Sequence, residues 1–223
     1  MSEQLPMFPL NAVLFPSVAV PLHVFEDRYR ALVHSLLKIP DKSARLFGVV
    51  AIREGYEVGE HGAQSLHRIG CVARMTSVEP HPDGSFDIEV VGIRRLRLDR
   101  IDTSAAYLVG TVESLDDAPD DDAARHEARA ALRVFADYRD QLSSLRGGSV
   151  LDGPLPKDPT LLSYSLAATC LLTLGERQAL LEEDNARDRL ILLRLALKEE
   201  MRAMRAVPSL PATEVARTGW CPN

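Results

Sequence analysis

At 223 residues, with 46% hydrophobic and 26% charged side chains, the chain is long enough to bury a core and has an ordinary soluble composition. A net charge of -6 and a pI near 5.5 argue against a general polyanion binder, which needs clustered cations. No stretch reaches the roughly 18 to 20 consecutive apolar residues of a membrane-spanning helix, and the start "MSEQ" lacks the basic region of a secretory leader, so a cytoplasmic protein without membrane contact is expected.

The opening stretch, "LPMFPLNAVLFPSVAVPLHVFEDRYRALV", is apolar yet carries Pro6, Pro9, Pro16 and Pro21. Proline inside a helix removes a hydrogen bond and clashes with the preceding turn, so these prolines predict extended segments. Within them "VLFPSVAVPL" reads as edge or barrel-closing strand. The period then changes at "FEDRYRALVHSLLK". Phe25, Tyr29, Leu32, Val33, Leu36 and Leu37 fall on one helical face, Glu26 and Asp27 stand in the first turn, Lys38 in the last, and Pro40 closes the helix.

"RLFGVVAI" is a short continuous apolar run, the pattern of a buried strand, and "REGYEVGEHGAQSLHR" is a turn-rich loop. A hairpin follows in "GCVARMTSVEPHPDGSFDIEVVG", with Pro82, Asp83 and Gly84 at its apex. On its return strand Phe86, Ile88 and Val90 alternate with Asp87, Glu89 and Val91, so one face is buried. "IRRLRLDRI" and "AYLVGTVESL" supply two more strands, and many short strands joined by tight turns predict a small barrel or sandwich.

Composition shifts at "DDAPDDD", a linker whose Asp120 to Asp122 suit a helix N-terminus. Beyond it the pattern is helical. Ala128, Leu132, Phe135, Leu142 and Leu145 form one stripe, ended by Gly147-Gly148. A second helix runs through "DPTLLSYSLAATCLLTLG", with Asp158 as N-cap, Pro159 at its first position and Gly175 as its stop. "GERQALLEED" is a short helix. The last begins at Asn185 and carries Leu190, Leu193, Leu197, Met201 and Met204 at core spacing, with Pro208 beyond it. The tail after it is irregular but contains Trp220, whose large apolar ring predicts docking on the surface.

Chemistry is sparse along this pattern. Cys71, Cys170 and Cys221 are widely spaced, without metal-ligand spacing, and read as reduced, buried thiols. There is no GxxxxGK[ST] loop for nucleotide phosphates and no G-x-S-x-G elbow for a serine nucleophile. His23, His34, His61, His67, His81 and His126 show no i, i+4 pair on a helix and no HExxH, so no metal site and no cofactor are expected. The one cationic cluster is "GIRRLRLDR". In a strand, Arg95 and Arg97 share a face while Arg94 and Arg100 flank Leu96 and Leu98 on the other. Such a ladder could grip nucleic-acid phosphates, but no aromatic residue interleaves with it, which favours pairing with acids of neighbouring strands such as Asp87 and Glu89.

Taken together, the N-terminal stretch resembles the opening of the N-terminal, substrate-engaging domain of Lon proteases, in the form found in stand-alone bacterial proteins. The shared elements are P-L-x-x-V-L-F-P, at Pro9, Leu10, Val13, Leu14, Phe15 and Pro16, and P-L-x-x-F-E-x-R-Y, at Pro21, Leu22, Phe25, Glu26, Arg28 and Tyr29. "GCVARM", "DGSFDIEVVGIRRLRL" and "ERQALLEEDNARDRLILLRLAL" extend the resemblance from about Leu5 to Met204.

The resemblance implies an α+β fold: a PUA-like, six-stranded pseudo-barrel over residues 1–118 that includes one helix, an all-helical bundle over 119–206, and a docking tail over 207–223. The signature residues are expected to be architectural, with the first helix plugging the barrel. The implied function is a non-catalytic module binding unfolded or partner polypeptides, without ATPase or peptidase machinery, and Phe47 and Tyr56 are candidate peptide contacts. Two rivals stand beside it: an RNA-binding PUA-like module using Arg94, Arg95 and Arg97, and a small hydrolase with an unrecognised site.

Overall fold

The computed structural model describes residues 2–53, 65–148, 150–151 and 153–206. It divides into two compact units that meet in sequence between Asp116 and Asp117. The predicted loop containing Tyr56, and the tail with Cys221 and Trp220, lie outside the described residues.

The first unit is a six-stranded mixed sheet, in the order β2-β5-β4-β3-β1-β6, with an additional β5–β6 pairing. Its strands are β1 (Ser2–Leu10), β2 (Ala19–Val24), β3 (Leu46–Ile52), β4 (Leu66–Pro80), β5 (Phe86–Asp102) and β6 (Val109–Leu115). The extra pairing closes β5, β4, β3, β1 and β6 into a ring, and β2 is appended to the first half of β5. β5 can serve three neighbours because it is 17 residues long: the return strand of the hairpin and "IRRLRLDRI", expected as separate strands, are one. Register shifts against β4 at Val72/Ala73 and against β6 at Leu98/Arg100 bend it round the ring.

Both faces of the closed sheet carry a core. Leu5, Met7, Val50, Val72, Leu96, Leu98 and Val112 pack on one side. Phe8, Phe47, Val49, Cys71, Met75, Ile88 and Val90 pack on the other, against Tyr29, Leu32, Val33 and Leu36 of α1 (Asp27–Leu37). β3 is buried on both faces, which is why its sequence lacks alternation. Phe25 departs from the expected helical face: it precedes α1 and is 45% exposed.

The prolines of the opening stretch divide between strands and a crossing. Pro6 and Pro9 lie in β1, which pairs parallel with β3 and antiparallel with β6. Pro21 sits in β2, an end strand, where a missing N–H is tolerated. Between them, residues 13–18, expected as strand, form instead a tight crossing over β5. Pro16 bridges Gly92, the Ser17 amide donates to the Gly92 carbonyl at 2.8 Å, and the Gly92 amide donates to the Val18 carbonyl at 3.0 Å. Ser17 takes a φ of 62° to make this turn.

The second unit holds α2 (Asp122–Arg146), α3 (Pro159–Thr169), α4 (Leu174–Glu182) and α5 (Ala186–Ala206). α2 is capped by the Asp121 carboxylate, which accepts from the Ala124 amide, and ends on Gly147 at a φ of 72°. Its buried stripe is Ala124, Ala128, Ala131, Phe135, Tyr138 and Leu142, whereas Leu132, expected inside, is exposed. α5 buries Leu190, Leu193, Leu197, Met201 and Met204 at the expected spacing, and its cap Asn185 accepts from the Asp188 amide at 2.8 Å. Arg194 pairs with Glu127 at 3.0 Å, and Gln141 donates to the Met201 carbonyl at 2.9 Å, so α2 and α5 run in the same direction.

One boundary is corrected. α3 stops at Cys170, and Gly175 lies within α4 rather than ending the helix before it. Thr173 and Glu176 form a capping box at the start of α4, a T-x-x-E signal readable in "TLGE". No helix among the described residues is long and apolar enough to cross a membrane.

Candidate functional site

In the first unit the signature residues take both buried and exposed positions. Pro9, Leu10, Phe15 and Pro16 are buried, and Leu22 is packed on the sheet core while Pro21 is exposed on the end strand. Tyr29 stacks on Phe8, with ring centroids 4.1 Å apart and planes 10° from parallel. Burial pushes the Tyr29 phenol up to about 12, although the Arg28 guanidinium, 4.7 Å from the ring centroid, opposes the shift. Arg28 in turn pairs with Glu26 at 2.6 Å. Glu26 occupies the N-cap position of α1 without capping it, because its carboxylate is held by Arg28.

Phe47 is fully buried, tilted against Phe8 at 6.1 Å, and belongs to the sheet core. It offers no surface to a peptide; the continuous apolar run that marked β3 as a buried strand could not tell a core ring from a contact ring. Tyr56, the companion candidate, lies outside the described residues.

Arg94, Arg95 and Arg97 of the arginine ladder are engaged within the protein. Arg94 pairs with Glu3 at 2.5 Å, and Arg97 pairs with Glu113 of β6 and with Asp99 at 3.3 Å. Arg95 is only 1% exposed and donates to the Asp116 carbonyl at 3.3 Å. Pairing with neighbouring acids is therefore right in kind, but the partners are Glu3 and Glu113 instead of Asp87 and Glu89. Arg95 and Arg97 point to the same side of the strand, yet one is sealed and the other exposed, so they do not make a phosphate-gripping row.

Asp87 is held elsewhere, by a cluster that spacing along the chain did not reveal. His23 Nδ1 donates to Asp87 Oδ1 at 2.6 Å, and His81 Nε2 donates to Asp87 Oδ2 at 2.8 Å. His23 and Asp87 are opposed residues in the β2–β5 ladder, and His81 stands at the entry to the hairpin turn. The hydrogen bonds to His23 and His81 hold the Asp87 carboxyl below the usual carboxylate range. The hydrogen bond to Asp87 raises the His81 imidazole, with Glu79 and Asp83 adding to the same effect.

In the second unit, a shallow cleft is lined by Pro119, Asp120, Asp121, Asn185 and Asp188, where the starts of α2 and α5 come together. Its carboxylates already have structural partners. Asp120 accepts from the Thr160 hydroxyl at 2.9 Å, Asp121 caps α2, and Asp188 accepts from the Asn185 amide group at 3.0 Å. Ser163, buried beside Arg189, donates to the Thr160 carbonyl at 2.7 Å and accepts from Arg189 Nη1 at 2.9 Å, which fixes the hydroxyl without supplying a base.

Comparison with known proteins agrees with this architecture. Residues 4–199 match the family described as the ATP-dependent protease La (LON) substrate-binding domain. The Lon protease of Porphyromonas gingivalis is 27% identical over 94% of this chain, and the Lon protease of Escherichia coli 25% identical over 89%. The chain spans about a quarter of the length of these curated relatives. Among solved structures, a Lon N-terminal domain protein from Xanthomonas campestris superimposes with a TM-score of 0.61 at 25% identity, covering 86% of this chain and 96% of that one. The N-terminal domain of a Mycobacterium avium complex Lon protease shares the fold, with a TM-score of 0.67 at 16% identity and coverages of 88% and 98%. With a match that takes in both the closed sheet and the helices that follow it in sequence, the chain belongs to the Lon substrate-binding domain family.

Proposed function

We propose that the protein is a non-catalytic module of the cytoplasm that binds unfolded or partner polypeptides, with its barrel (1–118), helical (119–206) and tail (207–223) parts as the working divisions. The observation that carries this reading is the match of residues 4–199 to a substrate-binding domain, not to a catalytic one. The physics of such binding is available on the first unit. Among the described residues β2 is hydrogen-bonded on one side only, to β5. An extended segment laid along its other side would gain main-chain hydrogen bonds, and the exposed Phe25 ring just beyond the strand offers it an apolar contact. Exposed Leu132, Leu161 and Leu195 are further apolar contacts on the helical unit.

The test is fluorescence anisotropy with a labelled, carboxymethylated, permanently unfolded polypeptide. Saturable binding is expected, weakened by Phe25→Asp, with the polypeptide remaining uncut in the presence or absence of ATP. Binding no stronger than to an equally acidic folded control rejects polypeptide recognition; cleavage rejects the non-catalytic assignment.

A further inference from the structure

We propose that His23, His81 and Asp87 form a binding site for a divalent transition metal of the zinc type, which ties the end strand β2 to the β4–β5 hairpin. Two imidazole nitrogens and a carboxylate oxygen are the donor set that borderline metals prefer, whereas calcium and magnesium favour oxygen alone. One ligand atom from each residue lies within 4.8 Å of the others. The two histidines meet the two oxygens of one carboxylate, with ring centroids 6.0 Å apart, so a metal replacing the shared protons needs only small side-chain rotations.

The backbone beneath the site is fixed. His23 and Asp87 are directly paired across two strands. His81 is locked by its amide, which donates to the Ser85 carbonyl at 2.9 Å, and by its carbonyl, which accepts from the Gly84 amide at 3.0 Å. Gly84 takes a φ of 84° to close that turn, and Asp83 accepts from both the amide and the hydroxyl of Ser85. Ligands mounted on paired strands and a pinned turn lose little conformational freedom when the metal binds. Glu79, opposite Asp87 in the β4–β5 ladder, and Asp83 in the turn add a negative field that favours a dication. All three side chains are partly exposed, so the metal can enter from solvent, and three protein ligands leave a coordination position for water.

The experiment is calorimetric titration of the untagged full chain with zinc chloride near pH 7.5, alongside thermal unfolding. One zinc per chain is expected, with a rise in Tm on saturation, because a ligand that binds only the folded state stabilises it. His81→Gln and Asp87→Asn, each with an unchanged circular dichroism spectrum, are expected to weaken binding by about tenfold or more, as loss of one ligand from three should. The double variant His61→Gln, His67→Gln is expected to bind as the wild type does. An NMR titration of the wild type gives a readout that needs no variant: the imidazole resonances of His23 and His81 should shift together at one equivalent. Absence of saturable binding, binding insensitive to both His81→Gln and Asp87→Asn, or imidazole shifts confined to other histidines overturns the proposal.

Discussion

Arg189 and Asp117, 72 residues apart in sequence, are joined at 2.6 Å around a guanidinium that is entirely buried. Arg189 also donates to the Leu180 carbonyl at 3.0 Å, the Glu183 carbonyl at 2.6 Å and the Ser163 hydroxyl at 2.9 Å. Its Cζ lies 4.1 Å from the Tyr164 ring centroid, and the Tyr164 hydroxyl completes the circuit by donating to Asp117 at 2.6 Å. One cation thereby holds α3, α4, α5 and the first residue of the helical unit. Arg189→Met should destabilise the protein by about 3–5 kcal/mol, because it strands the Asp117 carboxylate and several carbonyls. Arg189→Lys should restore little, since an ammonium cannot reproduce a planar fork of donors. Urea denaturation of the variants checks both; a loss under 1 kcal/mol for Arg189→Met, taken as roughly a surface-pair effect, would deny the hub its structural role.

Two glycines should respond in opposite directions to alanine. A Cβ at Gly92 would fall 2.1 Å from the Phe15 carbonyl oxygen, at the crossing of the opening stretch over β5. Gly92→Ala should cost about 3 kcal/mol, since backbone on both sides must move. A Cβ at Gly175 meets nothing within 4 Å, and this residue is helical. Gly175→Ala should stabilise by about 0.5–1 kcal/mol through the unfolded chain. Chemical denaturation of the pair decides it, and the same sign for both would contradict the packing described.

Cys71 is expected to resist thiol reagents. Burial pushes its thiol up to about 12, so little thiolate forms at neutral pH. Cys170 is also buried. Iodoacetamide labelling followed by peptide mass mapping should find both residues unmodified in the native protein and modified in denaturant. Rapid native labelling of Cys71 would show that the sheet opens readily.

The His81–Asp87 contact sets a pH window. The folded pKa of His81 is raised above the ordinary imidazole value of 6.5, so its stabilising effect is complete below that value and is lost as pH rises through the folded pKa. The folded pKa of Asp87 is lowered from 3.8, so its effect is present above that value and is lost as pH falls through the folded pKa. The contact is therefore strongest between these limits. NMR titration should place His81 above a free histidine, and Asp87→Asn should bring it back down. A His81 titration unchanged by Asp87→Asn would mean that the two are not partners in solution.

Much of the local structure was legible in the residues. Asp158-Pro159, Asn185 and Gly147 mark helix ends because caps and left-handed turns depend on neighbours along the chain. The hairpin at Pro82 to Gly84 and the buried run of β3 were readable for the same reason, and the P-L-x-x-F-E-x-R-Y element carried the family and with it the α+β class. Where local reading slipped, as at Gly175, a competing local signal was present in Thr173 and Glu176.

Sequence by itself thus determined the order and kind of most elements, the absence of a phosphate loop or serine elbow motif in this chain, and the family, because these reside in short-range patterns. Only the tertiary structure decided that the sheet closes through β5–β6, that Phe47 is core and not contact surface, and that Arg94 meets Glu3. It alone brought His23 to Asp87, 64 positions away, and Arg189 to Asp117. Strand register and helix packing select such partners from many of equal local propensity, and that selection is made by the burial of the whole chain rather than by any stretch of it.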